Sequence, residues 1–156
     1  MKKPITPCLW FDDQAEEAAG FYISLFKNSG IINISRYGKE GFEVHGKPEG
    51  TALTVEFSLG GQLFNGLNGG FQFKFNPSIS FQVFCDSQEA IDYFWDKLSE
   101  GGSEGRCGWL KDKYGVSWQV VPSNLGELMG NPEKSGKVME AFLKMTKFDL
   151  NVLLSI

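Results

Sequence analysis

The chain has 156 residues, 42% apolar and 22% charged, with a formal net charge of -4. Its 15 Lys and Arg are scattered among 19 acidic residues, which argues against nucleic acid as a partner, because phosphates need clustered basic side chains. No apolar run approaches the ~20 residues of a membrane span, so no membrane partner is expected either. Residues 1–5 carry charge but lead into no apolar stretch of signal-peptide length, and a cytoplasmic location is expected. Fourteen Phe beside 19 Gly indicate bulky strands joined by tight turns. The three cysteines, Cys8, Cys85 and Cys107, are odd in number and form no CxxC pair, so free thiols are expected rather than a disulfide framework or a zinc knuckle.

In chain order, residues 5–11 are apolar and read as a strand. Asp13 is placed to cap the next segment, with Glu16 three residues on in the manner of a capping box. Ala15, Ala18, Ala19, Tyr22 and Phe26 then recur at helical spacing up to Gly30. Residues 31–37 form a second strand and 38–50 a glycine-rich loop. Residues 51–59 alternate, with Leu53, Val55, Phe57 and Leu59 on one face and Thr54, Glu56 and Ser58 on the other. Gly60-Gly61 turns the chain into a strand over 62–67. After Pro77, 78–84 is a strand, and Asp86 or Ser87 caps a helix through Leu98. Strands follow at 103–110 and 116–121, joined by the turn 112–115. Asn131 and Pro132 start a helix, and 148–156 alternates as a terminal strand.

The strand–helix unit at the N-terminus repeats 72 residues on. Glu17 answers Glu89, Ala18 answers Ala90, Phe26 answers Leu98 and Gly30 answers Gly102. Thr54 to Phe57 is read as answering Ser117 to Val120, which pairs Glu56 with Gln119. A repeat of this length denotes a duplicated supersecondary unit. The expectation is an α+β fold. It comprises two βαβββ modules, residues 1–76 and 77–122, that form a half-open mixed-sheet barrel with an aromatic cleft. A C-terminal helix and strand over 123–156 complete a single domain.

Several stretches carry a family resemblance. They are Pro7-Cys8-Leu9-Trp10-Phe11-Asp12 with Ala15-Glu16-Glu17-Ala18, Leu67-Asn68-Gly69-Gly70, Ile79-Ser80-Phe81, and Cys107 to Asp112 through Gly115 to Pro122. By these the chain resembles the vicinal oxygen chelate superfamily of glyoxalases, bleomycin-resistance proteins and dioxygenases. Within it the resemblance is to the PhnB-like branch, which often carries the label 3-demethylubiquinone-9 3-methyltransferase-like. A methyltransferase cofactor needs a glycine-rich turn between a strand and a helix. Here the glycines of 60–70 sit between hairpin strands, so the label is expected to misdescribe the chemistry.

The resemblance implies four metal-ligand positions, which fall near Thr6 to Cys8, at Ser78 to Ser80, at Glu56 and at Gln119. One carboxylate with neutral oxygens is a poor donor set for zinc or iron. No cofactor is therefore expected beyond a weak divalent metal. The single histidine, His45, lies in the 38–50 loop. Candidate ligand-binding residues are Cys8, Trp10, Glu56, Phe64, Ser80, Trp109 and Gln119. Phe81 and Trp118 are further aromatics that either stack on a planar ligand or fill the core. The expected function is binding of a small, partly apolar or planar molecule. The alternative is a lyase or isomerase with Glu56 as general base. An apolar terminal strand needs a covering edge, so a homodimer is expected through it.

Overall fold

The computed structural model describes residues 5–156; the charged residues 1–4, read above for targeting, lie outside the described residues. The chain divides into two compact units, Met1–Lys74 and Phe75–Ile156. Each contains one βαβββ run and one four-stranded mixed sheet, and neither sheet closes into a barrel.

The first unit contains β1 (Cys8–Phe11), α1 (Ala15–Leu25), β2 (Gly30–Arg36), a short α2 (Phe42–His45) inside the glycine-rich loop, β3 (Ala52–Leu59) and β4 (Gln62–Asn68). The sheet order is β1-β4-β3-β2, with β1 parallel to β4 and the other pairs antiparallel. The alternation of β3 sends Val55, Phe57 and Leu59 into the core, where α1 contributes Ala15, Ala18, Ala19 and Tyr22. Tyr22 stacks on Phe57 at 6.3 Å between ring centroids, and Phe57 stacks on Phe64 at 5.5 Å. The opposite face of the sheet is left to Thr54, Glu56 and Ser58. The start of α1 differs from the expectation: no side chain on the preceding residues caps it. Its first N–H, of Ala15, donates instead to Asn68 Oδ1 at 2.8 Å, and Asn68 Nδ2 donates to Ala52 O at 2.9 Å. Asn68 is 1% exposed, so a side chain from the end of β4 satisfies an orphan helix donor that Asp13 was read to satisfy.

The second unit contains β5 (Phe81–Cys85), α3 (Gln88–Ser99), β6 (Ser103–Glu104), β7 (Trp109–Lys111), β8 (Ser117–Pro122) and three helices, α4 (Leu125–Gly130), α5 (Ser135–Phe142) and α6 (Leu150–Leu154). The order is β5-β8-β7-β6, again with one parallel pair, β5 and β8. Ser87 caps α3 as expected, accepting from the Ala90 N–H. The strand read over 103–110 is broken at residues 105–108, where Cys107 takes a left-handed φ of 56°. Asp112, 2% exposed, organises the β7–β8 turn. Its Oδ1 accepts from the N–H groups of Tyr114 and Val116, and its Oδ2 accepts from Trp118 Nε1 at 2.8 Å.

The C-terminal strand expected over 148–156 is a helix. Asp149 caps it by accepting from the Val152 N–H, and Leu150 and Leu153, three residues apart, are both buried. Short apolar runs satisfy period 2 and period 3.6 alike, and here the cap decides. The helix docks within its own unit. Gln88 Nε2 donates to Phe148 O, and the Leu150 N–H donates to Gln88 Oε1. The N–H groups of Cys107 and Gly108 donate to the carbonyls of Met145 and Thr146. Phe148, 2% exposed, adds about 1.5–3 kcal/mol of burial. The expectation of a homodimer built through a terminal strand has lost the element it rested on. Among the described residues no helix is long and apolar enough to cross a membrane.

Candidate functional site

The register of the first sheet aligns one residue from each of three strands. Cys8 of β1 pairs with Asn65 of β4, and Asn65 pairs with Glu56 of β3. Directly opposed residues share a face of the sheet, so thiol, carboxamide and carboxylate form one cross-strand row on the side away from α1. A cavity of about 450 Å³ opens over this row, with Thr6, Ile32 and Leu63 completing its wall. Asn65 Nδ2 lies 3.8 Å from Cys8 Sγ, and Asn65 Oδ1 is buried without a hydrogen-bond partner among the described residues. An unmet buried acceptor costs about 1–3 kcal/mol, which a donor on a bound molecule would recover.

Cys8 and Glu56 were both read from the sequence, and the fold brings them to this one cavity. Phe64 touches the same wall, but it is 6% exposed, and its ring lies in the Tyr22–Phe57 stack on the helix side of the sheet. It is a core residue behind the cavity. Trp10 is not among the described residues lining the cavity. Its Nε1 donates to Gly70 O at 2.8 Å, and its ring meets Phe73 edge-on at 4.9 Å, so it fastens the segment after β4. Asn65, Ile32 and Leu63 were missed. Asn65 was legible: with Gly60-Gly61 as the turn, counting back from Leu59 opposite Gln62 puts Glu56 opposite Asn65.

The remaining candidates lie in the second unit. Gln119 Nε2 donates to Ser80 Oγ at 2.8 Å, and Gln82 Nε2 reaches Gln119 Oε1 at 3.4 Å. Trp109 is the cross-strand neighbour of Gln119. Ser80, Gln119 and Trp109 are thus brought together with one another. The pairing of Glu56 with Gln119 through the repeat is corrected by strand order. Glu56 is on β3, the third strand of its unit, while Gln119 is on β8, the fourth strand of the other. The third-strand position matching Glu56 is Lys111, which opposes Ser117 as Glu56 opposes Asn65. The aromatics Phe81 and Trp118 tilt against each other at 5.4 Å, and Trp118 is 3% exposed, so these are packing residues.

The donor set does not fit a tightly bound divalent metal. The first-unit cavity offers one carboxylate, one carboxamide oxygen and one thiol, a mixture suited neither to calcium, which takes six to eight oxygens, nor to zinc. Among the described residues no group of three His, Cys, Asp or Glu could hold a metal ion. The glycines of 60–70 do not fit a methyl-donor nucleotide either. Gly60 and Gly61 are the turn between antiparallel β3 and β4. A Cβ on Gly66 would come within 3.2 Å of the Ala15 Cβ, and one on Gly69 within 2.2 Å of the Trp10 ring. Both positions are filled by the protein's own side chains, leaving no cradle for a phosphate.

The profile of the 3-demethylubiquinone-9 3-methyltransferase family matches residues 3–121. Among solved structures, the chain is similar to a Bacillus cereus protein described as a 3-demethylubiquinone-9 3-methyltransferase, PhnB protein. The identity is 39% over 77% of this chain and 99% of that one, with a TM-score of 0.69. The protein PA1353 from Pseudomonas aeruginosa shares the fold at 18% identity and a TM-score of 0.56, over 78% of this chain and 98% of that one. The fosfomycin resistance protein FosX from Listeria monocytogenes shares it at 18% identity and a TM-score of 0.54, over 84% and 99%. A search of curated proteins gives no match. The paired βαβββ units, each with one four-stranded mixed sheet, give the chain the fold of these neighbours. The chain belongs to the 3-demethylubiquinone-9 3-methyltransferase family.

Proposed function

We propose that this chain is a PhnB-like protein that binds a small, partly apolar or planar molecule in the first-unit cavity, without a tightly held metal. One observation carries the reading: a cavity of about 450 Å³ whose wall mixes apolar Ile32 and Leu63 with the Glu56 carboxylate and the unmet Asn65 Oδ1. Mostly apolar walls with a few convergent polar groups are the usual composition of a small-molecule site. Glu56 and Asn65 fix orientation, and Ile32 and Leu63 supply contact area. The three free cysteines accord with a cytoplasmic setting. Neither S-adenosylmethionine chemistry nor a ubiquinone substrate follows from the residues present, whatever the family is called.

Native mass spectrometry of the purified protein, followed by a thermal-shift screen of wild type and Glu56→Gln, tests this. A ligand at 100 times its Kd adds about 2.7 kcal/mol, about 5–10 °C for a chain of this length. A cavity ligand should give that shift in wild type and a smaller one in Glu56→Gln. Hits whose binding is indifferent to Glu56, and to a bulky replacement at Leu63, would remove the cavity from the account. The enzymatic alternative rests on the same carboxylate, placed within reach of a ligand held by Asn65. It predicts turnover of the bound molecule that Glu56→Gln abolishes while binding persists.

A further inference from the structure

The second unit presents a cross-strand row of the opposite sign. Lys111 of β7 is paired with Ser103 of β6 on one side and Ser117 of β8 on the other. Opposed residues in a ladder have Cβ atoms about 4.5–5.5 Å apart on one face, so hydroxyl, ammonium and hydroxyl stand side by side. Trp109, two residues before Lys111, shares that face. A groove of about 240 Å³ lies over the row and is lined by all four residues. Glu104 also lines the groove, but its carboxylate is engaged by α3, where its Oε1 accepts from Trp95 Nε1 at 3.1 Å.

Two groups of this row are left without a side-chain partner among the described residues. Ser117 lines the groove, and its hydroxyl reaches the groove surface with no hydrogen-bond partner among the described residues. Trp109, half-buried, has no aromatic partner among the described residues, although most of the other large rings are paired. A molecule with a negatively charged oxygen pair and a flat apolar body would satisfy both. The hydroxyls of Ser103 and Ser117 donate to the oxygens, the Lys111 ammonium neutralises them, and the indole stacks on the ring.

We infer that the Ser103–Lys111–Ser117 row and Trp109 form a binding site for a small aromatic carboxylate. The matching row of the first unit carries Glu56 in place of Lys111, so the anion is selected by one unit and not by the duplicated scaffold as such.

The test is a titration of the full-length, ¹⁵N-labelled protein with benzoate and with benzamide, its neutral isostere. The readouts are the Trp109 indole N–H and the amides of Lys111 and Ser117. Benzoate should move these signals saturably, with benzamide at least about tenfold weaker. Lys111→Met should erase that preference while leaving benzamide binding unchanged, and Lys111→Glu should abolish benzoate binding. Ser117→Ala should weaken benzoate several-fold. Lys111 is exposed, so its variants keep the fold, and unchanged amide signals elsewhere in the spectrum check this. Equal affinity for the two probes, benzoate binding that survives Lys111→Glu, or shifts confined to Cys8, Glu56 and Asn65 would each overturn the assignment.

Discussion

Replacing Asn68 with Ala tests the least obvious joint of the first unit. The change removes two hydrogen bonds at once, from the Ala15 N–H and to the Ala52 carbonyl. Ala15 is 0% exposed and Ala52 4%, so water cannot take over as partner. Each stranded group costs about 1–3 kcal/mol, which gives about 4 kcal/mol together. At about 2–4 °C per kcal/mol for a chain of this size, the melting temperature should fall by about 8–16 °C. Asp13→Ala is the matched control. Asp13 precedes α1 but makes no capping bond, and its loss should cost no more than about 0.5 kcal/mol through the helix dipole. Urea unfolding followed by circular dichroism reads both. If Asn68→Ala lies within about 1 kcal/mol of wild type, or Asp13→Ala is equally costly, the cap is not where we place it.

Three further outcomes are expected. Brief alkylation at pH 8 should modify exposed Cys8 first and leave Cys85 intact, because burial, aided by the adjacent Asp86 charge, pushes the Cys85 thiol up to about 11; peptide mass mapping that finds Cys85 modified as fast as Cys8 would contradict this. Lys147 holds Asp92 below the usual carboxylate range through a hydrogen bond at 2.8 Å. With both side chains over a third exposed, Lys147→Met should cost at most about 1 kcal/mol. Because the folded pKa of Asp92 is depressed, that difference is present above its unfolded value of about 3.9 and is lost as pH falls through the folded one; melting curves that diverge more at pH 3 than at pH 6 have the wrong sign. Asp112→Asn turns an amide donor toward a turn in which the N–H groups of Tyr114 and Val116 and the Trp118 Nε1 all donate and need acceptors. About 2–3 kcal/mol should be lost, seen as a lower melting temperature, and an unchanged value would show that the turn does not depend on the carboxylate.

What could be read in the sequence was set by how local each determinant is. The Ser87 cap and the alternation of β3 depend on neighbours a few residues away, and both stand as read. The cap of α1 is 53 residues distant in sequence, and no spacing rule reaches it. The row Cys8–Asn65–Glu56 was half legible: the hairpin turn fixes Asn65 opposite Glu56, but Cys8 joins through a parallel pairing whose register no turn sets. The misreading of Glu56 against Gln119 has the same root. Similar strings on β3 and β8 outweighed strand order, which only the pairing of β5 with β8 reveals. Phe64 and Trp10 looked ligand-facing because aromatic side chains serve core and cleft alike. The stack with Phe57 and the bond to Gly70 decide otherwise.

The docked C-terminus changes what kind of object the second unit is. The family match stops at residue 121, and the Bacillus cereus chain fits almost whole within 77% of this one. A protein engineer would be tempted to trim the excess as an appendage. Gln88 opposes that choice, because its carboxamide both gives and receives a bond from the backbone around Phe148. The carbonyls of Met145 and Thr146 likewise finish the bend that leads into Trp109. Cut at the family boundary, the chain would lose the template against which its own last strands are shaped. The tail is an internal scaffold, so the second unit can reach its final form only once residues 145–150 are in place against it.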